Sequence, residues 1–100
     1  MTSLVVPDRE ELRARVRAAL RGRLGPAVDD VADDVPLPEA LGARYDSLAA
    51  LECITLVEAE FEVEVDFVEH DVRYAFATVE RIVQFVHDRL EDRVALGTAR

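Results

Sequence analysis

The sequence predicts an all-α domain, a small four-helix bundle with three longer helices, one short third helix and a long connection between the first and second. Three observations point to it. Apolar residues recur at helical spacing in three separate stretches. The one run that alternates like a strand, Glu62-Val63-Glu64-Val65, has nothing to pair with elsewhere in the chain. One hundred residues, half of them hydrophobic and 6% aromatic, suffice for a single core of Val, Leu, Ile and Ala.

Pro7 and Asp8 are expected to open the first helix, with Asp8, Glu10 and Glu11 complementing its dipole. Leu12, Val16, Leu20 and Leu24 recur every four residues, with Ala19 beside them, as one buried stripe. Arg9, Arg13, Arg15, Arg17, Arg21 and Arg23 occupy the other faces and read as a solvated amphipathic surface. Gly22, Gly25 and Pro26 are expected to stop the helix.

Residues 27–45 hold Pro36, Pro38 and Gly42 and show no sustained period, so they read as a connection pinned by Val28, Val31, Val35, Leu37 and Leu41. Asp29, Asp30, Asp33 and Asp34 lack the glycine and ligand spacing of a calcium loop and read as a solvated acidic stretch, with no metal expected.

Asp46 is an N-cap candidate, because its carboxylate can accept a hydrogen bond from a first-turn amide. That makes Ser47 the first residue of the second helix, which runs to about Phe61, with its hydroxyl pointing outward. An anionic group on that hydroxyl would sit beside the positive end of the helix dipole. At about 100° per residue, Ala50, Cys53, Ile54, Val57 and Phe61 fall on a core side, while Leu48, Leu51, Glu52, Thr55, Glu58 and Ala59 fall on another. That second face mixes aliphatic and acidic groups, as suits a partner steered by charge and held by apolar burial.

Val63 and Val65 are expected to pack inward from an extended connector. The short third helix starts near Asp66 and runs to about Tyr74 on Phe67, Val68 and Val72. Thr78 caps the fourth helix, whose Val79, Ile82, Val83, Val86 and Leu90 follow the helical rule, with Phe76 and Phe85 adding to the core. The pattern ends near Arg93, so the single domain spans residues 1–100 with 1–7 and 94–100 as flexible ends.

The formal net charge is −9. Residues 1–25 carry six Arg against three acids, for +3, and residues 26–100 six Arg against eighteen acids, for −12. An acidic chain argues against nucleic acid and for basic protein surfaces as partners. The single Cys, Cys53, excludes an intrachain disulfide and reads as a buried core thiol in a reducing cytoplasm. No secretory leader is visible and no apolar run is long enough to span a membrane. His70 and His87 lie on separate segments without a catalytic pattern, and the domain is expected to be a monomer.

Asp46-Ser47-Leu48 at the start of an acidic helix, near the middle of a short acidic chain, resembles the 4'-phosphopantetheine attachment motif of acyl carrier proteins. Tyr45-Asp46-Ser47-Leu48-Ala49-Ala50-Leu51-Glu52 is most similar to the free-standing carriers of type II (aromatic) polyketide synthases, and the likeness covers roughly residues 8–91. It implies that Ser47 takes the phosphopantetheine arm from coenzyme A, through a separate phosphopantetheinyl transferase that holds its own Mg²⁺. It implies that Asp46 and Leu48 assist that recognition. It also implies that ketosynthase, acyltransferase and tailoring enzymes read the acidic second helix through Leu48, Leu51, Glu52, Thr55, Glu58 and Ala59. A carrier of this kind holds thioesters and is not an enzyme.

The chain departs from the family pattern in places. Leu41-Gly42-Ala43 is followed by Arg44 and Tyr45, as though two residues had been inserted before Asp-Ser-Leu. Glu62 stands where Gly is frequent, and Asp66 where Pro is. Thr55 and Ala59 replace larger apolar and acidic residues. Within carriers, a fatty-acid, aryl or peptidyl cargo stays open, as does a helical interaction module in which Ser47 only begins a helix. A Gly-Asp-Ser-Leu esterase is excluded, because Tyr45 stands at its glycine and a hundred helical residues cannot supply its α/β scaffold.

Overall fold

The computed structural model describes residues 6–66 and 72–98. The expected all-α bundle is what the chain forms, with one more helix than the sequence pattern shows: α1 (Arg9–Leu24), α2 (Leu37–Leu41), α3 (Ser47–Phe61), α4 (Val72–Ala75) and α5 (Val79–Thr98). α1 packs against both α3 and α5, and α4 lies against the start of α5.

Asp8 caps α1 by accepting the Glu11 amide at 2.8 Å, so Pro7 lies outside the helix and not in its first turn. Leu12, Val16, Leu20 and Leu24 are buried as one stripe. Gly22 does not stop the helix. It sits inside it, where a Cβ would meet Leu56 Cδ1 at 3.4 Å. Gly25 ends the helix instead, at φ 73°, a left-handed conformation that costs a residue without a Cβ nothing in sterics.

The arginine face of α1 is not a solvated surface. Arg17 donates to the Val28 and Val31 carbonyls at 2.8 and 2.7 Å and to the Asp33 carboxylate. Arg9 and Arg13 pair with Glu80, Arg13 also with Asp33, Arg21 with Asp29, and Arg15 with Glu60 while lying 4.6 Å over the Phe61 ring. Arg23 pairs with Glu52. Two of the four connection aspartates, Asp29 and Asp33, thus take guanidinium partners.

The connection carries structure of its own. A 3-10 turn runs Gly25–Asp30, and a second, Gly42–Tyr45, leads into α3. Between them Pro36 and Pro38, which the sequence places in an aperiodic connection, stand at the start of α2, where a missing N–H costs no hydrogen bond. Val28, Val31 and Leu37 are buried, and Val35 and Leu41 pack against the core. Three bonds stitch this path to the start of α5. The Leu37 amide donates to Ala77 O at 2.7 Å, the Glu80 amide to Asp33 O at 2.9 Å, and Tyr45 Oη to Phe76 O at 2.9 Å.

In α3 the buried residues are Ala49, Cys53, Ile54, Val57 and Phe61. The core stripe steps by fours from Ala49, and Ala50 lies at its half-buried edge. α3 ends at Glu62 with φ 54° and ψ 45°, where a side chain is strained and glycine is at ease. Val63 and Val65 point inward and Glu62 and Glu64 outward, as the alternation predicts. Of the short third helix only Val72–Ala75 is described; its expected start at Asp66, Phe67 and Val68 falls on or beside residues 67–71, outside the described residues, as does His70. Thr78 Oγ1 accepts the Arg81 amide at 3.0 Å, capping α5 over the buried Val79, Ile82, Val83 and Val86. α5 runs on to Thr98, past the end of the apolar pattern at Arg93, and Val6 packs against the core at the other end of the chain.

Two stability changes follow. Leu20→Ala, deep in the α1 stripe, lowers unfolding free energy by about 2–5 kcal/mol. Glu62→Gly raises it by roughly 1 kcal/mol, through relief of the left-handed conformation. Urea titration followed by circular dichroism reads both.

Candidate functional site

Ser47 is the first residue of α3, and Asp46, extended at φ −83° and ψ −177°, is its N-cap. Asp46 Oδ1 accepts the Ala49 amide at 2.8 Å and the Asp46 carbonyl accepts the Ala50 amide at 2.9 Å. Capping is therefore done by the aspartate. Ser47 is exposed, and among the described residues its hydroxyl has no hydrogen-bond partner.

The two extra residues before the motif have separate uses. Tyr45 is buried at 9% exposure with its hydroxyl bonded to Phe76 O, which ties the chain entering α3 to the chain entering α5. Burial pushes its phenol well above the ordinary range. Arg44 stays exposed beside the motif. Ser47 opens onto a groove of about 510 Å³ with Ala50, Leu51 and Ile54 of α3 on one wall and Val72, Arg73 and Phe76 on the other. Its lining is mostly apolar, with one cation, Arg73.

The structure divides the six residues of the expected partner face. Leu48 and Leu51 are 60% and 50% exposed, and they and Tyr74 are the exposed large apolar side chains among the described residues. Ala59 and Thr55 are exposed too, but the Thr55 hydroxyl donates back to Leu51 O at 3.2 Å. Glu52 is held by Arg23. Glu58 is half-buried and Oε2 accepts the Val65 amide at 2.9 Å, so it fixes the connector after α3. The face is thus apolar at its serine end, with its acids already engaged, and not an open acidic surface.

Cys53 is fully buried, and burial pushes its thiol from 9.0 up to about 11, as a core residue requires. His87 Nδ1 lies 3.6 Å from Glu91 and 3.9 Å from Asp88 on α5. Among the described residues these three are the one group that brings metal-ligating side chains together. Sequence reasoning missed Arg23, Arg73 and Phe76 at the site, since each reaches Ser47 or α3 from a distant element and none carries a motif.

The model of a family described as a phosphopantetheine attachment site matches residues 14–86, from within α1 to within α5 and across Ser47. No curated protein and no solved structure shows a significant match.

Cys53 and Tyr45 both ionise more readily in the unfolded chain, where their ordinary values are 9.0 and 10.0. The stability they lend is complete below pH 9.0 and is lost as pH rises from there through about 11. Chemical denaturation across that window shows the loss, and Cys53→Ala combined with Tyr45→Phe flattens it. Tyr45→Phe alone costs about 1–3 kcal/mol at neutral pH, because the buried Phe76 carbonyl loses its donor.

Proposed function

The chain belongs to the phosphopantetheine-attachment family, and we propose that Ser47 is the residue that bears its arm. The family attaches 4'-phosphopantetheine covalently, and the chain is a carrier of bound intermediates for partner enzymes and not itself an enzyme. The arm supplies a terminal thiol on which acyl groups ride as thioesters.

The observation that carries the assignment is the division of labour between Asp46 and Ser47. A serine at the N-cap would spend its hydroxyl on the first-turn amides. Here Asp46 takes that bond, and Ser47 keeps an exposed, uncommitted hydroxyl at the positive end of a 15-residue helix. In the transfer, the Ser47 oxygen bonds to the pantetheine-side phosphorus of coenzyme A, the pyrophosphate P–O bond breaks, and adenosine 3',5'-bisphosphate leaves. The hydroxyl proton passes to a base of the transferase. The resulting phosphodiester anion lies at the α3 N-terminus, where the helix dipole favours it, and the groove beside Ser47 offers Ala50, Leu51 and Ile54 to an apolar portion of arm or cargo.

The carrier works in polyketide biosynthesis, supplying a ketosynthase, an acyltransferase and tailoring enzymes. Support for this finer reading is the run Tyr45-Asp46-Ser47-Leu48 with Leu51-Glu52. Leu48 and Leu51 are the apolar contacts offered to those partners, with Glu52 as the charged one. No described helix is long and apolar enough to cross a membrane.

Intact-protein mass after incubation with coenzyme A, Mg²⁺ and a broad-specificity phosphopantetheinyl transferase checks the site. One phosphopantetheine is added to the wild type and none to Ser47→Ala. An unmodified wild type, or a modified Ser47→Ala, overturns the assignment.

A further inference from the structure

The surface around Ser47 carries an arrangement that the chain's overall acidity conceals. Of the carboxylates on α3, Glu52 is the one nearest the serine, and the Arg23 guanidinium from the last turn of α1 is bonded to it through Nε. Both side chains are substantially exposed, at 36% and 48%, so the pair is a surface contact that a third charged group can reach. Gly22 precedes Arg23 on this turn of α1, and a Cβ there would meet Leu56 Cδ1 of α3 at 3.4 Å, an ordinary contact distance. Arg23 also feels the attraction of the Asp46 carboxylate beside the serine. Its guanidinium therefore sits among the negative charges at the serine end of α3. The other α3 acids are committed elsewhere, Glu58 to the Val65 amide and Glu60 to Arg15.

We propose that Arg23 is a built-in competitor for Glu52: it occupies the carboxylate in the free protein, and a basic side chain of a partner enzyme must displace it to dock on α3. The inference rests on the reading of Leu48, Leu51 and Glu52 as a partner face. On that face a partner gains from a cation at Glu52 only the difference between its own ion pair and the one it breaks. Charge then selects among partners rather than binding all basic surfaces alike, and the exposed leucines carry most of the contact area. A partner whose cation reaches Glu52 while a carboxylate of its own receives the released Arg23 loses least.

The test uses the full-length apo-protein and a broad-specificity phosphopantetheinyl transferase, with kcat/KM for arm transfer measured at low and high salt. Arg23→Gln frees Glu52 and raises kcat/KM about two- to five-fold at low salt, an effect of the size expected for an exposed pair and reduced by salt. Arg23→Lys, which keeps the charge, stays near the wild-type value. Glu52→Gln lowers kcat/KM, and adding Arg23→Gln to it gives no rise beyond that from removing an unpaired like charge, so the double variant does not exceed the wild type. Circular dichroism verifies that each variant is folded. An unchanged or lowered kcat/KM in Arg23→Gln, with Glu52→Gln still impaired, overturns the competitor role and leaves the partner face standing. An unchanged Glu52→Gln overturns the partner face itself.

Discussion

The path of the chain between α1 and α3 depends on one guanidinium. Arg17 reaches from the middle of α1 to the carbonyls of Val28 and Val31 and the carboxylate of Asp33, three acceptors along the connection held by one side chain. With that stretch pinned, the Asp33 carbonyl is placed to take the Glu80 amide, one of the first-turn donors of α5 that has no partner within its own helix. Leu37 and Tyr45 then extend the same seam onto Ala77 and Phe76. The chain reaches Asp46 by a path fixed at every few residues, and the start of α3 inherits its position from α1 and α5. The cap at Asp46 and the bond from Tyr45 set the serine at the head of α3, and Arg17, thirty residues earlier, pins the path that leads to them.

That dependence explains what was legible in the sequence. The stripes Leu12-Val16-Leu20-Leu24 and Val79-Ile82-Val83-Val86 could be read because burial imposes a period that side-chain identity reports directly. Caps at Asp46 and Thr78 were readable for the same local reason, since donor and acceptor lie within three residues of each other, whereas Asp8, read only as a dipole acid, proves to be the cap of α1. The arginines were not. Arg15, Arg17 and Arg23 look alike along the sequence, yet one lies over a ring, one holds a loop and one covers a carboxylate on another helix. Only the tertiary arrangement distinguishes them. α2 was hidden by Pro36 and Pro38, residues that break a helix interior but suit its first turn. Ala49 was displaced by Ala50 because two adjacent alanines carry no information about which side of a helix edge faces inward.

Net charge proved a poor guide to local charge. A chain at −9 is expected to show a negative face wherever its acids cluster, and α3 has three glutamates. All three are taken up within the fold, by Arg23, by the Val65 amide and by Arg15. Glu62, which follows the helix, is the left-handed residue that terminates it. The long-range field of the molecule stays acidic and can steer a basic partner toward it. The surface at the serine end, however, presents leucines and an ion pair already formed.

The assignment of capping to Asp46 and of attachment to Ser47 has an electrostatic side as well as a geometric one. A phosphodiester on Ser47 brings a second anion to within one residue of the Asp46 carboxylate, and two like charges at that spacing repel. The helix N-terminus offsets this, because its unpaired amides and the summed dipole of α3 attract both. Asp46 spends its charge on the Ala49 amide at 2.8 Å, which lessens what it presents outward. Arg44 and Arg73 add cations on either side of the serine, one in the preceding turn and one across the groove. On the proposal that Ser47 bears the arm, its anion can be accepted at a position flanked by a carboxylate, in a chain whose total charge opposes it, because the helix N-terminus and nearby cations offset that charge.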